Sequence, residues 1–175
     1  MCSPGDGMKR PLLPTEDRQA RQADENQPTD EMLFAIFVRA NADSEAGQLA
    51  DTALLTAMSN YNQSLVDAGV LITGEGLTPS SQGARVTFSG DPSDPATVAQ
   101  GPFPPEELVC GFWLWDLKNK EEAIEWVKKC PMGKGAVIEI RPGIKPEDFG
   151  EALTEELQKK EAEMRKSSKL AKKEG

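Results

Sequence analysis

Apolar residues in this chain fall in short runs, and the spacing inside each run predicts its element. Met32 to Val38 (MLFAIFV) is continuous and short, as expected for a buried strand. Leu54, Met58, Tyr61 and Leu65 then recur at helical spacing, with Leu55 and Val66 widening the stripe, which predicts a helix between Ser44 and Ala68. Ser44 or Asp51 suits its N-cap, and Gly69 stands where a left-handed residue ends a helix. Val70 to Leu77 reads as a strand broken by Gly74 and Gly76. A turn at Pro79, Ser80, Ser81 and Gly83 leads into Ala84 to Ser89, which alternates as a hairpin partner: Val86 and Phe88 on one face, Arg85 and Thr87 on the other.

Gly90 to Pro95 is a loop, and Thr97 to Ala99 a short strand before the break at Gly101-Pro102. Val109 to Leu117 is the most apolar strand, with Trp113 and Trp115 on one face and Phe112 and Leu114 on the opposite one. Asn119 caps a second helix, Lys120 to Lys129, whose Ala123, Ile124 and Val127 face inward. Ala136 to Ile140 is the last core strand, stopped by Pro142-Gly143. The order β–α–β–β–(β)–β–α–β is a ferredoxin-like α+β arrangement with an extra strand, spanning residues 31–145. Helices cover one face of such a sheet. The other face, if apolar, needs cover of its own, and pairing two copies sheet to sheet in a homodimer is the simplest.

The flanks read differently. Residues 1–30 are polar, with Pro4, Pro11, Pro14 and Pro28 among charges and glutamines, and such a segment buries too little apolar surface to offset its ordering entropy. A disordered leader is expected there. Residues 146–175 are strongly charged and helix-prone, with Phe149, Leu153 and Leu157 as the only apolar ladder. A C-terminal helix is expected, docked at its start and frayed at its end; its alternating acids and bases suit a solvated helix better than a binding patch.

Composition narrows the chemistry. The 175 residues carry a formal net charge of -9 and contain no histidine. That acidity argues against a nucleic-acid partner, and the missing histidine removes the commonest general base and metal ligand. Carboxylates, Tyr61, lysines or thiols must do any acid–base work. Cys2, Cys110 and Cys130 show neither a disulfide framework nor metal-site spacing, so reduced thiols in a cytoplasmic protein are expected, with no metal and no cofactor. No segment approaches the roughly 20 apolar residues of a membrane span.

Several motifs in order carry a family resemblance: DSEAG near Ser44, AGVLITGEGLTPSSQGARVTFSG, QGPF, GFWLWDLKNKEEAIEWVKKCP, IEIRPG, and EDFGEALT near Phe149. Together they resemble the YCII-related family, in particular its DGPF branch. The resemblance implies a dimeric α+β barrel, a fold also used by cofactor-free monooxygenases, polyketide-associated dehydratases and cyclases, and muconolactone-isomerase-like proteins. The chain departs from the family pattern at three points. Gln100 replaces the aspartate before Gly-Pro-Phe, and Pro104-Pro105-Glu106-Glu107 lacks a lysine and is one residue shorter. The wider family's histidine has no counterpart here.

Among the carboxylates, Glu75 lies between two glycines on a strand. Desolvated in a pocket it would shuttle a proton; as part of a bulge it would be an ordinary exposed glutamate. Glu139 and Arg141 share a strand face, which suits a structural ion pair or a site in which guanidinium holds an oxyanion while a carboxylate moves a proton. Arg39 can join either arrangement. Tyr61 suits core packing or, directed into a cavity, an acid. Gln100, Phe103, Trp113 and Trp115 are candidate substrate-lining residues, although dimer packing also accounts for the tryptophans.

Two functions fit these residues. One is a cofactor-free lyase, isomerase or cyclase acting by proton transfer on a small oxygenated metabolite, aromatic or polyketide-like, in secondary metabolism. Glu75, Arg141 and Tyr61 would be catalytic, with Arg39, Gln100, Phe103, Trp113, Trp115 and Glu139 binding substrate. The other is a non-catalytic, ligand-binding or pathway-accessory dimeric module. In both the partners are a small-molecule metabolite and a second copy of the chain, with no nucleic acid and no membrane.

Overall fold

A computed structural model describes residues 32–91 and 93–167; the expected leader and the expected frayed end lie outside the described residues. Four strands form the main sheet: β1 (Met32–Arg39), β2 (Leu71–Gly76), β5 (Val109–Leu117) and β6 (Ile138–Pro142). Their order is β2-β5-β1-β6, and every neighbouring pair is antiparallel. This is the ferredoxin-like order, in which two β–α–β crossovers interleave so that the first and third strands of the core lie at its centre.

Three helices lie in the two crossovers. Between β1 and β2 the chain forms a short helix α1 (Ala42–Glu45) and the longer α2 (Thr52–Asp67); α3 (Lys120–Val127) joins β5 to β6. The helix expected between Ser44 and Ala68 is α2, started by Asp51 of its two candidate caps, and Ser44 belongs to the short α1 that precedes it. Asn41 and Ser44 form a reciprocal capping box on α1, while the Asp51 carboxylate accepts from the Leu54 amide and starts α2. Gly69, at a φ of 71°, ends it. Asn119 caps α3 through the Glu122 amide.

Strand periodicity explains the core. Phe34, Ile36 and Val38 of β1 and Trp113, Trp115 and Leu117 of β5 are buried, and with Tyr61, Leu65, Val70 and Ala123 they make one cluster beneath the helices. The alternate residues, Ala35, Phe37, Phe112 and Leu114, point to the opposite face and stay partly accessible, and Leu33 beside them is 42 % exposed. The tryptophans thus belong to the helix-covered face, and the phenylalanines to the open one.

Three local expectations are corrected. Gly74 and Gly76 do not break β2, which pairs with β5 through both; the irregularity sits between Leu71 and Thr73. Gly74 is required for another reason: a Cβ there would collide with the Trp113 indole ring. Next, β3 (Ala84–Thr87) pairs with β4 (Thr97–Gln100) in a separate two-stranded sheet instead of returning along β2, so the extra strands form their own ribbon. Finally, the C-terminal segment is not one helix. A 3₁₀ stretch, Pro146–Ala152, gives way at Gly150 (φ 54°) and a helix α4 (Glu155–Ser167) begins beyond Thr154. Phe149 and Leu157 remain about half exposed, at 51 % and 45 %. Only Leu153 of that ladder is partly buried.

Candidate functional site

The open face of the main sheet gathers most of the charged candidates. In the pairing register Glu75 lies opposite Phe112, Phe112 opposite Phe37, and Phe37 opposite Glu139, so these four residues form one row across all four strands. In the adjoining row Thr73, Leu114, Ala35 and Arg141 follow one another in the same way. At the β6 end of the face Glu139 stands between two guanidinium groups, 3.8 Å from Arg39 Nη1 and 4.0 Å from Arg141 Nε. Arg39 also donates to the Glu106 carbonyl. These side chains are partly accessible, so the pairs themselves contribute little stability; what they do is hold two cationic forks beside an aromatic floor.

Glu75 occupies the far edge. Three strand spacings separate β2 from β6, about 14 Å at the usual 4.8 Å per strand. Glu75 is exposed, and among the described residues its carboxylate has no hydrogen-bond or ion-pair partner. The desolvated pocket beneath the helices that would suit a proton shuttle is therefore not where the fold places this residue.

Tyr61 and the two tryptophans sit on the other side of the sheet. The Tyr61 hydroxyl donates to the Trp126 carbonyl at 3.0 Å, and its ring meets Trp113 edge-on with centroids 6.2 Å apart. Burial, reinforced by the neighbouring Cys130 thiol, raises its pKa far above the ordinary phenol value. Trp113 Nε1 donates to Asn62 Oδ1, whereas the Trp115 indole nitrogen, fully buried, has no partner among the described residues. These three residues pack the core that shapes the sheet from behind.

Gln100 and Phe103 belong to a second cluster, and its centre is two residues that sequence reading did not single out as functional. The Glu45 carboxylate accepts from both the amide (3.0 Å) and the hydroxyl of Ser80, and the Ser80 hydroxyl in turn accepts from the Phe103 amide at 2.9 Å. Glu45 comes from DSEAG, Ser80 from PSSQG and Phe103 from QGPF, so three separate motifs meet at one serine. Gly101 completes the junction: a Cβ there would overlap the Ser80 carbonyl. Arg85 lies over the Phe103 ring at 4.1 Å and pairs with Glu107 at 2.6 Å. Because Glu106, one residue earlier, receives Arg39, the turn Pro105–Glu107 links this latch to the guanidinium cluster. Gln100 itself is exposed at the end of β4. The joint presence of three motifs was the only signal in the sequence for this convergence.

Among the described residues no group of three or more histidine, cysteine, aspartate or glutamate side chains is placed to hold a metal ion, and no helix is long and apolar enough to cross a membrane. Fold and site together define a ferredoxin-like α+β protein with a charged and aromatic open sheet face. The sequence profile of the YCII-related domain matches residues 32–146, more than half of the chain, and the protein belongs to that family. No curated protein matches it.

Proposed function

We propose that this protein is a cytoplasmic homodimer that binds a small, anionic, oxygenated metabolite, aromatic or polyketide-like, on its open sheet face. There it acts by proton transfer, without metal or organic cofactor, as a lyase, isomerase or cyclase of secondary metabolism. One observation carries the reading: Arg39 and Arg141 flank Glu139 at 3.8 and 4.0 Å beside Phe37 and Phe112, on the face the helices leave accessible. Paired guanidiniums suit a carboxylate or a developing enolate oxygen, and an aromatic floor suits a planar ring. Glu139 holds the two forks in place, and Glu75 is the carboxylate left to move a proton. The remaining candidates act at a distance, Tyr61, Trp113 and Trp115 by shaping the sheet and Gln100 and Phe103 by closing the neighbouring loop.

A panel of aromatic and polyketide-like keto and hydroxy acids tests this. Ligands that raise the melting temperature of the native protein should lose about tenfold to a hundredfold in affinity with Arg141→Gln, as expected when a charge-assisted hydrogen bond is removed. For a converted ligand, Glu75→Gln should lower turnover by about a hundredfold. Affinity unchanged by Arg141→Gln removes the anion site, and turnover unchanged by Glu75→Gln removes Glu75 from the mechanism.

A second reading, a non-catalytic binding or pathway-accessory module, is favoured by the separation of Glu75 from the arginines. With about 14 Å between them within one protomer, an anion held at the cluster lies beyond the reach of that carboxylate. Stabilisation by a ligand that is never converted would identify this version.

A further inference from the structure

We propose that the site is composite: Glu75 of the partner subunit faces the Arg39–Glu139–Arg141 cluster across the sheet-to-sheet interface. This rests on the homodimer proposed above and specifies which edges of the two sheets meet. The strand order places Glu75 and Glu139 at opposite ends of one cross-strand row, with Phe112 and Phe37 between them. Two sheets packed face to face and related by a two-fold axis have two simple choices. An axis running along the strands lays β2 of one copy over β6 of the other and keeps each row at its own height. An axis running across the strands lays β2 over β2 and β6 over β6.

Charge separates these choices. The cluster at the β6 edge holds two guanidiniums and one carboxylate, an excess of one positive charge, while the β2 edge of the same row carries the single carboxylate of Glu75. With the axis along the strands each cluster meets one Glu75 and is neutralised, twice per dimer. With the axis across the strands, glutamate faces glutamate at one edge and arginines face arginines at the other, a juxtaposition that opposes association.

Geometry allows the contact. Packed sheets lie about 10 Å apart, a gap that a glutamate and an arginine reaching from opposite sides jointly span. Aligned sheets cross at about 30°, which displaces each end of the row by roughly 4 Å along the strand, about one residue. Glu75 of the partner subunit then lands between Glu139 and a flanking arginine. Each site thus takes its anion anchor from one subunit and its proton-shuttling carboxylate from the other, which joins the two groups that a single protomer holds apart.

Sedimentation velocity on wild type, Glu75→Lys, Arg141→Glu and the double variant tests the arrangement. Both residues are exposed, so far-UV circular dichroism should show all four folded. Each single exchange should weaken the dimer at least tenfold, and the double exchange should recover most of that loss. A dimer indifferent to Glu75→Lys, or a double variant as weak as the two singles combined, overturns the composite site and leaves the homodimer standing. A wild-type monomer at all concentrations overturns the homodimer, and the composite site with it. Crosslinking supplies a second readout: in a background carrying Cys2→Ser, Cys110→Ser and Cys130→Ala, chains with Glu75→Cys, mixed with chains of different size with Arg141→Cys, should join through a bismaleimide of about 10 Å reach. Preferential joining of Glu75→Cys chains to each other overturns the proposal.

Discussion

At Tyr61 and Cys130 a phenol and a thiol are packed against each other in surroundings that disfavour both anions. Burial pushes the Cys130 thiol up to about 11 from an ordinary value near 9, an effect partly offset by its contact with the Tyr61 hydroxyl. Both groups therefore bind their protons more tightly in the folded chain than in the unfolded one. The thiol's contribution to stability is complete below pH 9 and is lost as pH rises through 11, whereas the phenol's is complete below pH 10 and is lost only at a higher pH. The melting temperature should accordingly fall between pH 9 and 11, and fall less steeply in Cys130→Ala, where one of the two titrations is gone. Identical slopes would show that the thiol does not titrate in this window. The i, i+4, i+7 stripe already marked Tyr61 as inward-facing, since periodicity reports which way a helical residue points. It could not say that the hydroxyl ends on the Trp126 carbonyl, 65 positions away, because a hydrogen bond at that separation exists only after the helices dock.

At the scale of elements, caps and strand polarity were legible and strand partners were not. Asp51, Gly69 and Asn119 act within a few residues of themselves, so their chemistry shows directly in the sequence. Ala84 to Thr87, by contrast, pairs with a strand that starts ten residues beyond its end, and alternation in a strand states which faces it has without naming its neighbour. The Glu45–Ser80–Phe103 latch is a further case, where the end of α1 in the first crossover meets two turns of the β2–β5 connection. Ser80→Ala would leave the Phe103 amide without its acceptor and the Glu45 carboxylate with only the Ser80 amide, and should cost about 1–3 kcal/mol. Gly101→Ala would drive a methyl group into the Ser80 carbonyl, at about 1–3 kcal/mol or more. Chemical denaturation measures both, and a loss below about 0.5 kcal/mol in each would show that the latch bears no load.

For the whole molecule, the distinguishing feature is a sheet with one face sealed and one accessible. Phe37, Phe112, Leu114 and Leu33 line the accessible face away from the core cluster, so changing them should alter association more than folding. Phe112→Lys should keep the far-UV spectrum and the cooperative melt of the wild type while converting the proposed dimer to monomer in sedimentation. Loss of folding in that variant would mean that Phe112 is part of the protomer's own core.

Which runs form the core strands and the helices α2 and α3, where those two helices are capped, and which of their side chains alternate inward follow from the sequence alone, because each depends on neighbours a few positions apart. Strand order, the sharing of one face by Glu75, Arg39, Glu139 and Arg141, and the width of sheet between the first and the other three were decided only by tertiary structure. The physical reason is that a side chain's direction is set by local backbone geometry, whereas its companions are set by how distant segments satisfy their edge hydrogen bonds and exclude water together.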